Sequence, residues 1–241
     1  IIMNKNEFIK EVQKLNINIT DEMLDKLDIY CNFLLEYNKH TNLTAIKEEN
    51  DVYLKHFYDS LTLAKAIDLT REETLLDIGS GAGFPGMVLK IFFPHLKVYL
   101  VDSNNKKCKF LLELKEKLNV DNLIVINNRI ENLYAEFINS IDIVTARAVT
   151  NLPVLTELAI PLVKANKHFI AMKGNAEEEL KNSMYAIKQL NCSIDNVITF
   201  DLYNNSGVRT LISIKKNKNT ELKNIRPYDK IIKKPLQKRG K

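Results

Sequence analysis

Several residue patterns that mark particular classes of protein are missing from this 241-residue chain. Its three cysteines, Cys31, Cys108 and Cys192, are widely spaced and form no C-x-x-C pair. The sequence therefore predicts neither a disulfide framework nor a zinc site. The four histidines also lack the spacing of metal ligands, so we expect no bound metal.

Segments that would direct the chain to a membrane are missing as well. No apolar run approaches the ~20 residues that span a bilayer. No charged-then-apolar leader with a small-residue cleavage site is present. We therefore expect a cytoplasmic protein without a membrane partner. With 45% hydrophobic residues, the chain can bury one core, alone or with a small appendage.

Acidic residues are scarce at the carboxyl end. Residues 215–241 hold eleven lysines or arginines against two acids, Glu221 and Asp229, although the whole chain has a net charge of only +5. Residues 217–241 show little apolar periodicity and contain two prolines, so they predict a mobile basic tail. Two interpretations stay open, namely a solvated end and an arm that neutralises nucleic-acid phosphates.

The amino-terminal part, residues 3–70, predicts a helical cap, because strand signals begin only at Thr74. Apolar residues recur at spacings of three and four between Met23 and Tyr37, which predicts a helix with Thr20 as its N-cap. A second helical pattern covers about residues 49–67.

Short apolar runs alternate with helical patterns through residues 71–216. This alternation is typical of a parallel sheet with helices on both faces. The last two runs are joined by only six residues, which permits only an antiparallel pair. The parallel strands are predicted at 74–78, 97–102, 123–127, 142–147 and 168–173, and the antiparallel pair at 193–202 and 209–215. Helices are predicted at 85–93, 105–118, 131–137, 152–163 and 176–189.

The segment "GSGAGFPG" at residues 79–86 follows the first predicted strand and fits two cofactor patterns. From Gly81 it reads G-x-G-x-x-G, the dinucleotide-binding fingerprint. From Asp77 it reads D-x-G-x-G-x-G, which resembles the first motif of S-adenosylmethionine-dependent methyltransferases. In either case glycines let a strand turn sharply into a helix beside a ligand.

Two features favour S-adenosylmethionine. The Asp77 carboxylate would repel a pyrophosphate near the helix N-terminus, whereas it suits a cofactor that carries an ammonium and a sulfonium group. The antiparallel closing pair is foreign to the usual dinucleotide fold and is shared by class I methyltransferases. The predicted fold is therefore α/β, a Rossmann-like class I methyltransferase sheet with an N-terminal helical extension.

Asp102 ends the second predicted strand, where its carboxylate can accept both ribose hydroxyls of either cofactor. Each of the two acids also has a local alternative. Asp77 could cap the turn, and Asp102 could cap the helix that follows it.

The sequence lacks three signatures of particular methyl acceptors. An N-P-P-[FYW] motif after the fourth strand would indicate an exocyclic amino group, but this place reads "TARAVTNL" at residues 145–152. No cysteine lies there to attack a pyrimidine carbon, and no cluster of acids suggests metal-assisted oxygen methylation. What remains is an intrinsically nucleophilic acceptor, or one whose activation the sequence does not show.

The chain resembles the bacterial ribosomal RNA small-subunit methyltransferase G family, also called glucose-inhibited division protein B. The resemblance covers about residues 20–215 and implies methylation of ring nitrogen seven of one guanine in 16S ribosomal RNA, as naked RNA or in the small ribosomal subunit. It is carried by "YNKHTNLTAI" (37–46), "HFYDSL" (56–61), "LLDIGSGAGFPG" (75–86), "VDSNNKKCKFL" (101–111), "RIEN" (129–132), "TARAV" (145–149), "MKG" (172–174) and "GVRTLISIKK" (207–216).

The loop pattern and the resemblance together give a set of site residues. Many relatives have alanine where Ile130 stands, but a backbone contact to the adenine would survive that change. The loop pattern predicts cofactor contacts at Asp77, Gly79, Gly81, Gly83 and Asp102, and the resemblance implies further contacts at Phe84, Ile130, Glu131 and Arg147. Substrate contacts are expected at Arg147, Lys173, Arg209 and His56.

No catalytic general base is expected, because ring nitrogen seven of guanine carries a lone pair and no proton. Arg147 is therefore expected to bind substrate or cofactor, with a surface salt bridge as the alternative. His56 and Asp59 are expected to be structural or to lie at the substrate edge. Two other functions stay open, a small-molecule methyltransferase and a non-catalytic RNA-binding protein with this fold.

Overall fold

The computed structural model describes residues 3–236 and confirms the predicted α/β sheet. Five strands run parallel, and β7 lies antiparallel between β5 and β6, in the order β3-β2-β1-β4-β5-β7-β6. The strands are β1 (Thr74–Ile78), β2 (Lys97–Asp102), β3 (Leu123–Asn127), β4 (Ile141–Arg147), β5 (Val163–Lys173), β6 (Cys192–Asp201) and β7 (Val208–Lys216).

Strand β5 begins five residues before its predicted start at His168. The early part carries lysines, whose side chains pair with acids rather than with the core. Lys164 Nζ lies 2.8 Å from Asp142 Oδ1, and Lys167 Nζ lies 2.5 Å from Glu72 Oε2. An apolar run could not reveal a strand that is held in this way.

The predicted helices are present, although α8 (Leu152–Ala159) ends before Val163, the predicted end of that helix, which is the first residue of β5. Thr20 caps its helix as expected, since its hydroxyl accepts a hydrogen bond from the Met23 amide at 3.2 Å. The second cap pattern forms α3 and α4, joined by π-helical turns over Tyr53–Tyr58. The helices are α1 (Lys5–Gln13), α2 (Asp21–Thr41), α3 (Glu49–Val52), α4 (Asp59–Leu61), α5 (Gly86–Phe92), α6 (Asn105–Leu118), α7 (Tyr134–Phe137), α8 (Leu152–Ala159), α9 (Glu177–Gln189) and α10 (Tyr228–Lys233).

The sheet separates two apolar cores. One core joins cap residues such as Tyr30 and Phe57 to sheet residues such as Val98 and Ile143. The other lies under α7, α8, α9 and α10. The cap therefore packs on one face of the sheet together with α5 and α6, and its apolar side chains are continuous with those of the sheet.

Residues 217–236, which we call the C-terminal strap, contact the rest of the fold at several points, although the sequence predicts a mobile tail. The Thr220 amide donates a hydrogen bond to Asn139 Oδ1, and Asn139 Nδ2 donates one to the Thr220 carbonyl, both at 2.9 Å. Arg226 forms a two-pronged ion pair with Glu157, and Ile231 is fully buried. Each contact is made by a single residue, so no apolar periodicity in the sequence indicates that this segment packs on the fold. Residues 237–241 of the predicted tail lie outside the described residues.

A lysine at the end of β7 is buried in the second core. Lys216 Nζ donates to Asn139 Oδ1 at 2.6 Å and to the carbonyls of Ile160 and Val163 at 2.9 and 2.8 Å. Its burial lowers the pKa of Lys216 to about 8. The ammonium group thus ties β7 to the turn before β5 and to the residue that holds the strap.

We expect Lys216→Met to lower the free energy of unfolding by about 2–4 kcal/mol, because buried carbonyls lose their charged donor. Urea denaturation measures this loss. Lys215→Met is the matched control, since Lys215 is only partly buried on the same strand. Equal midpoints for the Lys216 and Lys215 variants would contradict the prediction.

Candidate active site

The glycine loop joins β1 to α5 at the carboxyl end of the sheet. Gly79, Gly81 and Gly83 all have positive φ, at 68°, 58° and 102°. A Cβ at Gly83 would meet the Tyr30 hydroxyl and lie 2.9 Å from Met87 Cβ. The backbone angle and the close packing therefore both require glycine at position 83.

The amides of this loop already donate to protein oxygens. Gly79 and Ser80 both donate to the Val101 carbonyl, at 2.8 and 3.1 Å, and Gly83 donates to the Ser80 carbonyl at 2.8 Å. A pyrophosphate bound in the dinucleotide manner needs such amides for itself. This geometry supports the methyltransferase interpretation of the loop over the dinucleotide fingerprint.

Asp77 lies on the buried side of the loop, with no exposed surface. Its Oδ2 accepts a hydrogen bond from the Gly86 amide at 2.8 Å, and burial raises the pKa of its carboxyl to about 7. Oδ1 has no hydrogen-bond partner within residues 3–236. These contacts are those of a residue that caps the turn, and a contact between Asp77 and a cofactor stays a prediction.

Asp102 lies at the carboxyl end of β2 and braces the loop. Its Oδ2 accepts a hydrogen bond from the Gly81 amide at 2.9 Å, and its Oδ1 accepts one from the Asn104 amide at 2.8 Å. Each carboxylate oxygen can accept a second hydrogen bond. Asp102 can therefore hold the loop and still accept ribose hydroxyls.

A cavity of about 380 Å³ opens beside the loop, and we call it the cofactor cleft. Its volume lies in the range of small-molecule sites. Four of the nine predicted cofactor residues line it, namely Gly79, Asp102, Ile130 and Glu131. The other five do not line it, namely Asp77, Gly81, Gly83, Phe84 and Arg147. The lining comprises Ile78, Gly79, Val101, Asp102, Ser103, Lys107, Asn128, Arg129, Ile130, Glu131, Ala148, Val149, Leu158 and Tyr228.

The walls of the cofactor cleft fit S-adenosylmethionine. Branched apolar side chains, among them Ile130 and Leu158, offer surfaces for an adenine ring. The carboxylates of Asp102 and Glu131 offer acceptors for hydroxyl and amino groups. The cleft therefore combines apolar faces for the base with anionic groups for a cationic ligand.

A second cavity of about 420 Å³ adjoins the cleft, and we call it the acceptor pocket. Ala148 lines both cavities, so a ligand in one can approach a ligand in the other at that residue. The predicted substrate residues Arg147, Lys173 and Arg209 line this pocket. The lining comprises Ile46, Lys55, Asp59, Arg147, Ala148, Met172, Lys173, Gly174 and Arg209.

Asp59 joins the two arginines of the acceptor pocket. Its Oδ2 lies 3.1 Å from Arg147 Nη1 and its Oδ1 lies 2.9 Å from Arg209 Nε, while its side chain is only 3% exposed. The arginines come from β4 and β7, and the carboxylate comes from the cap. Arg147 thus forms a largely buried salt bridge rather than a surface one, and its contact with substrate or cofactor stays a prediction.

His56 lies below the pocket and is not part of its lining. Its Nδ1 accepts a hydrogen bond from Arg147 Nη2 at 3.0 Å, which leaves the proton on Nε2 to be donated to Thr44 Oγ1 at 2.9 Å. The ring stacks on Phe84 at a centroid distance of 4.2 Å. Burial, together with the positive charge of Arg147, lowers the pKa of His56 to about 3. His56 is thus neutral and packed.

Phe84 links the glycine loop to the acceptor pocket. Its ring lies between those of Tyr30 and His56, and the Arg147 guanidinium carbon lies 5.3 Å from its centre. The resemblance implies that Phe84 contacts the cofactor. In the structure, its ring packs against His56 and Arg147, beside the acceptor pocket. Any contact with the cofactor stays a prediction.

Sequence reasoning gave no role to Asn38 and Thr44. The Asn38 side-chain amide donates to the Thr44 carbonyl at 2.9 Å, and its oxygen accepts from the Thr44 amide at 3.0 Å. This clasp holds Thr44 against His56. The asparagine-rich segment that carried the family resemblance was the available signal, but it did not reveal what these residues touch.

Lys173 is held at the wall of the acceptor pocket. Its Nζ donates to the Thr150 carbonyl and lies 2.8 Å from Glu179 Oε2.

Within residues 3–236, no group of three or more potential metal ligands is assembled. No helix in that range is long and apolar enough to cross a bilayer.

Comparison with known proteins agrees with this arrangement. Residues 23–202 match the family model of rRNA small subunit methyltransferase G. The chain is 42% identical to ribosomal RNA small subunit methyltransferase G of Staphylococcus carnosus, over 95% of this chain and 98% of that protein. It is also 42% identical to the Bacillus subtilis protein of the same name, over 92% and 94%.

Solved structures share the fold at low identity. The TrmK structure of M. capricolum, which holds S-adenosylhomocysteine, has a TM-score of 0.52 at 21% identity, over 68% of this chain and 70% of that one. The precorrin-6y C5,15-methyltransferase of Geobacter metallireducens has a TM-score of 0.51 at 11% identity, over 66% and 88%. From its matched residues and its full-length relatives, the chain belongs to the rRNA small subunit methyltransferase G family.

Proposed function

We propose that this protein transfers the methyl group of S-adenosylmethionine to ring nitrogen seven of a guanine in 16S ribosomal RNA. Membership of the family supports the enzyme class and ribosomal RNA as the substrate. The acceptor atom is the one that the family resemblance implies, and the chemistry of the acceptor pocket is compatible with it. The same substrate implies a cytoplasmic protein that acts on this RNA or on the small ribosomal subunit.

The observation that carries the proposal is an acceptor pocket that offers no base for removing a proton. Asp59 is engaged by two arginines, and both ring nitrogens of neutral His56 are occupied. The other charged lining residues, Lys55, Lys173 and the arginines, are cations. An exocyclic amine or a hydroxyl must lose a proton when it is methylated, whereas ring nitrogen seven of guanine has none to lose.

The pocket cations suit a nucleic-acid substrate. Arginine guanidinium groups bind phosphates and the oxygen and ring nitrogen at the major-groove edge of guanine. Arg147 and Arg209 both line the acceptor pocket, and Arg147 directly precedes Ala148, which also lines the cofactor cleft. We assign Arg147 to orienting the guanine and Arg209, with Lys55, to holding the flanking backbone.

S-adenosylmethionine supplies a methyl group on a positively charged sulfur, which is electrophilic enough to be attacked by a lone pair. The protein's own contribution is alignment. Asp102, Ile130 and Glu131 would hold the nucleoside part of the cofactor in the cofactor cleft, and the acceptor pocket would hold the base beside it. Orientation of this kind lowers a barrier by as much as ~7–11 kcal/mol.

A transcript in which guanine is replaced by 7-deazaguanine tests the acceptor atom. Labelled methyl transfer to ribosomal RNA is expected with ordinary guanine and abolished by the replacement, because a carbon then stands in place of nitrogen seven. The exocyclic amino group is untouched in the deaza transcript. Methylation that persists on it would overturn the proposal.

The same chemistry predicts a flat pH profile. Single-turnover methyl transfer at saturating cofactor and RNA should change less than about twofold between about pH 6 and about pH 8, because no group in the pocket has to accept a proton. His56, with its pKa lowered to about 3, stays neutral throughout. A tenfold rise for each pH unit would indicate a general base and contradict this reading.

Labelled methyl transfer to ribosomal RNA also distinguishes the proposed function from that of a small-molecule methyltransferase. A protein that methylates small acceptors, but not ribosomal RNA alone or in the subunit, would contradict the proposal. The non-catalytic alternative is separated by calorimetry with S-adenosylmethionine, since it predicts no binding.

A further inference from the structure

The C-terminal strap brings a tyrosine to the cofactor cleft. Thr220 is pinned by Asn139 and Arg226 is pinned by Glu157 on α8, with Nε and Nη2 lying 2.5 and 2.6 Å from the two carboxylate oxygens. Ile231 is buried in the second core. Tyr228 lies between these last two anchors and lines the cleft.

This segment lies beyond residues 23–202, the part matched by the family model. Nothing in the glycine loop or in the predicted site residues points to it. Three separate contacts hold it beside the cleft. These are the hydrogen bonds between Asn139 and Thr220, the ion pair between Arg226 and Glu157, and the burial of Ile231. The strap is therefore fixed at that position by the fold itself.

Tyr228 lines the same cleft as the residues expected to contact the nucleoside part of the cofactor. Its half-buried ring shares the lining with Ile130 and Glu131, and the Arg129 guanidinium carbon lies 5.7 Å from its centre. Arg129 Nη1 also lies 3.8 Å from Glu131 Oε1. The Arg129 guanidinium group therefore lies near both the Tyr228 ring and the Glu131 carboxylate in the cleft lining.

Aromatic rings and guanidinium planes are the protein groups that stack on nucleobases. We propose that Tyr228 is a cofactor-binding residue whose ring packs on the adenine of S-adenosylmethionine. The strap then completes the cofactor cleft rather than serving as an RNA-binding tail. This inference rests on S-adenosylmethionine as the cofactor, as argued above.

Calorimetry with S-adenosylmethionine and with 5′-methylthioadenosine tests the inference without any methyl transfer. Tyr228→Leu keeps an apolar side chain against Leu158 but removes the ring, and it should weaken both ligands by the same factor, roughly fivefold to thirtyfold. An equal factor is expected because both ligands share the nucleoside. Tyr228→Phe, which keeps the ring, should bind within about twofold of the unaltered protein.

The matched control is Tyr185→Ala, an exposed tyrosine on α9 that is not part of the cleft lining, and its affinity should not change. If the unaltered protein binds neither ligand, the proposed function fails. If it binds both and Tyr228→Leu binds them equally well, only the role of Tyr228 fails.

Limited trypsin digestion gives a second readout. Saturating S-adenosylmethionine should slow cleavage within residues 217–236 of the unaltered protein at least about fivefold, because a ligand that binds the folded strap suppresses its opening. The Tyr228→Leu protein should show little protection at the same ligand concentration. Equal cleavage of the unaltered protein with and without the cofactor would overturn the inference.

Discussion

Asp59→Asn should reduce the single-turnover rate of methyl transfer to ribosomal RNA by about 10²- to 10³-fold, the equivalent of breaking one buried, hydrogen-bonded ion pair. The carboxylate receives Arg147 on one oxygen and Arg209 on the other. An amide can accept from only one of them and turns its own N–H groups toward the second. Both arginines would then leave the positions that shape the acceptor pocket.

The affinity for S-adenosylmethionine should stay within about threefold of the unaltered protein, since Asp59 does not line the cofactor cleft. Asp25→Asn is the control, because Asp25 is an exposed carboxylate on α2 in the same cap. An equal loss in cofactor affinity and in transfer would show that the substitution damages the whole site, contrary to the division between the two cavities.

The strands and the glycine loop could be predicted from the sequence because their signals are local. Apolar runs such as residues 74–78 and 123–127 became strands with these same bounds, and the helix predicted at 105–118 is α6. Gly83 could be identified from the turn that the loop must make, and Asp102 from its place at the end of the second predicted strand. In each case, the residues that determine the structure lie within one turn or one strand of each other.

The acceptor pocket could be predicted only in part, since it depends on contacts between distant segments. Asp59 reaches Arg209 across 150 positions of sequence, and no pattern within the cap indicates which cations it receives. The contacts of the C-terminal strap could not be predicted from the sequence for a related reason. Its basic composition resembles that of a solvated tail, whereas a single ion pair of Arg226 and the burial of Ile231 hold it in place.

The two central glycines of the loop should differ sharply in their tolerance of alanine. Gly83→Ala should lower the free energy of unfolding by at least about 3 kcal/mol and abolish measurable cofactor binding. Its φ of 102° excludes an ordinary side chain, and the added Cβ would overlap the Tyr30 hydroxyl and press on Met87. Tyr30 cannot simply withdraw, because its hydroxyl donates to the Ala82 carbonyl and its ring stacks on Phe84.

Gly81→Ala is the matched substitution two residues earlier. Gly81 also has positive φ, at 58°, but an added Cβ there meets only the Gly79 carbonyl oxygen, at 3.9 Å. The expected loss is therefore about 1–2 kcal/mol, the cost of a left-handed alanine without a clash. Urea denaturation and calorimetry with S-adenosylmethionine measure both variants. If the Gly83 variant unfolds at the same urea concentration as the Gly81 variant, the close packing of Tyr30 and Met87 does not fix the loop. The shape of the cofactor cleft would then depend on the hydrogen bonds from the loop amides to Val101 and Asp102 alone.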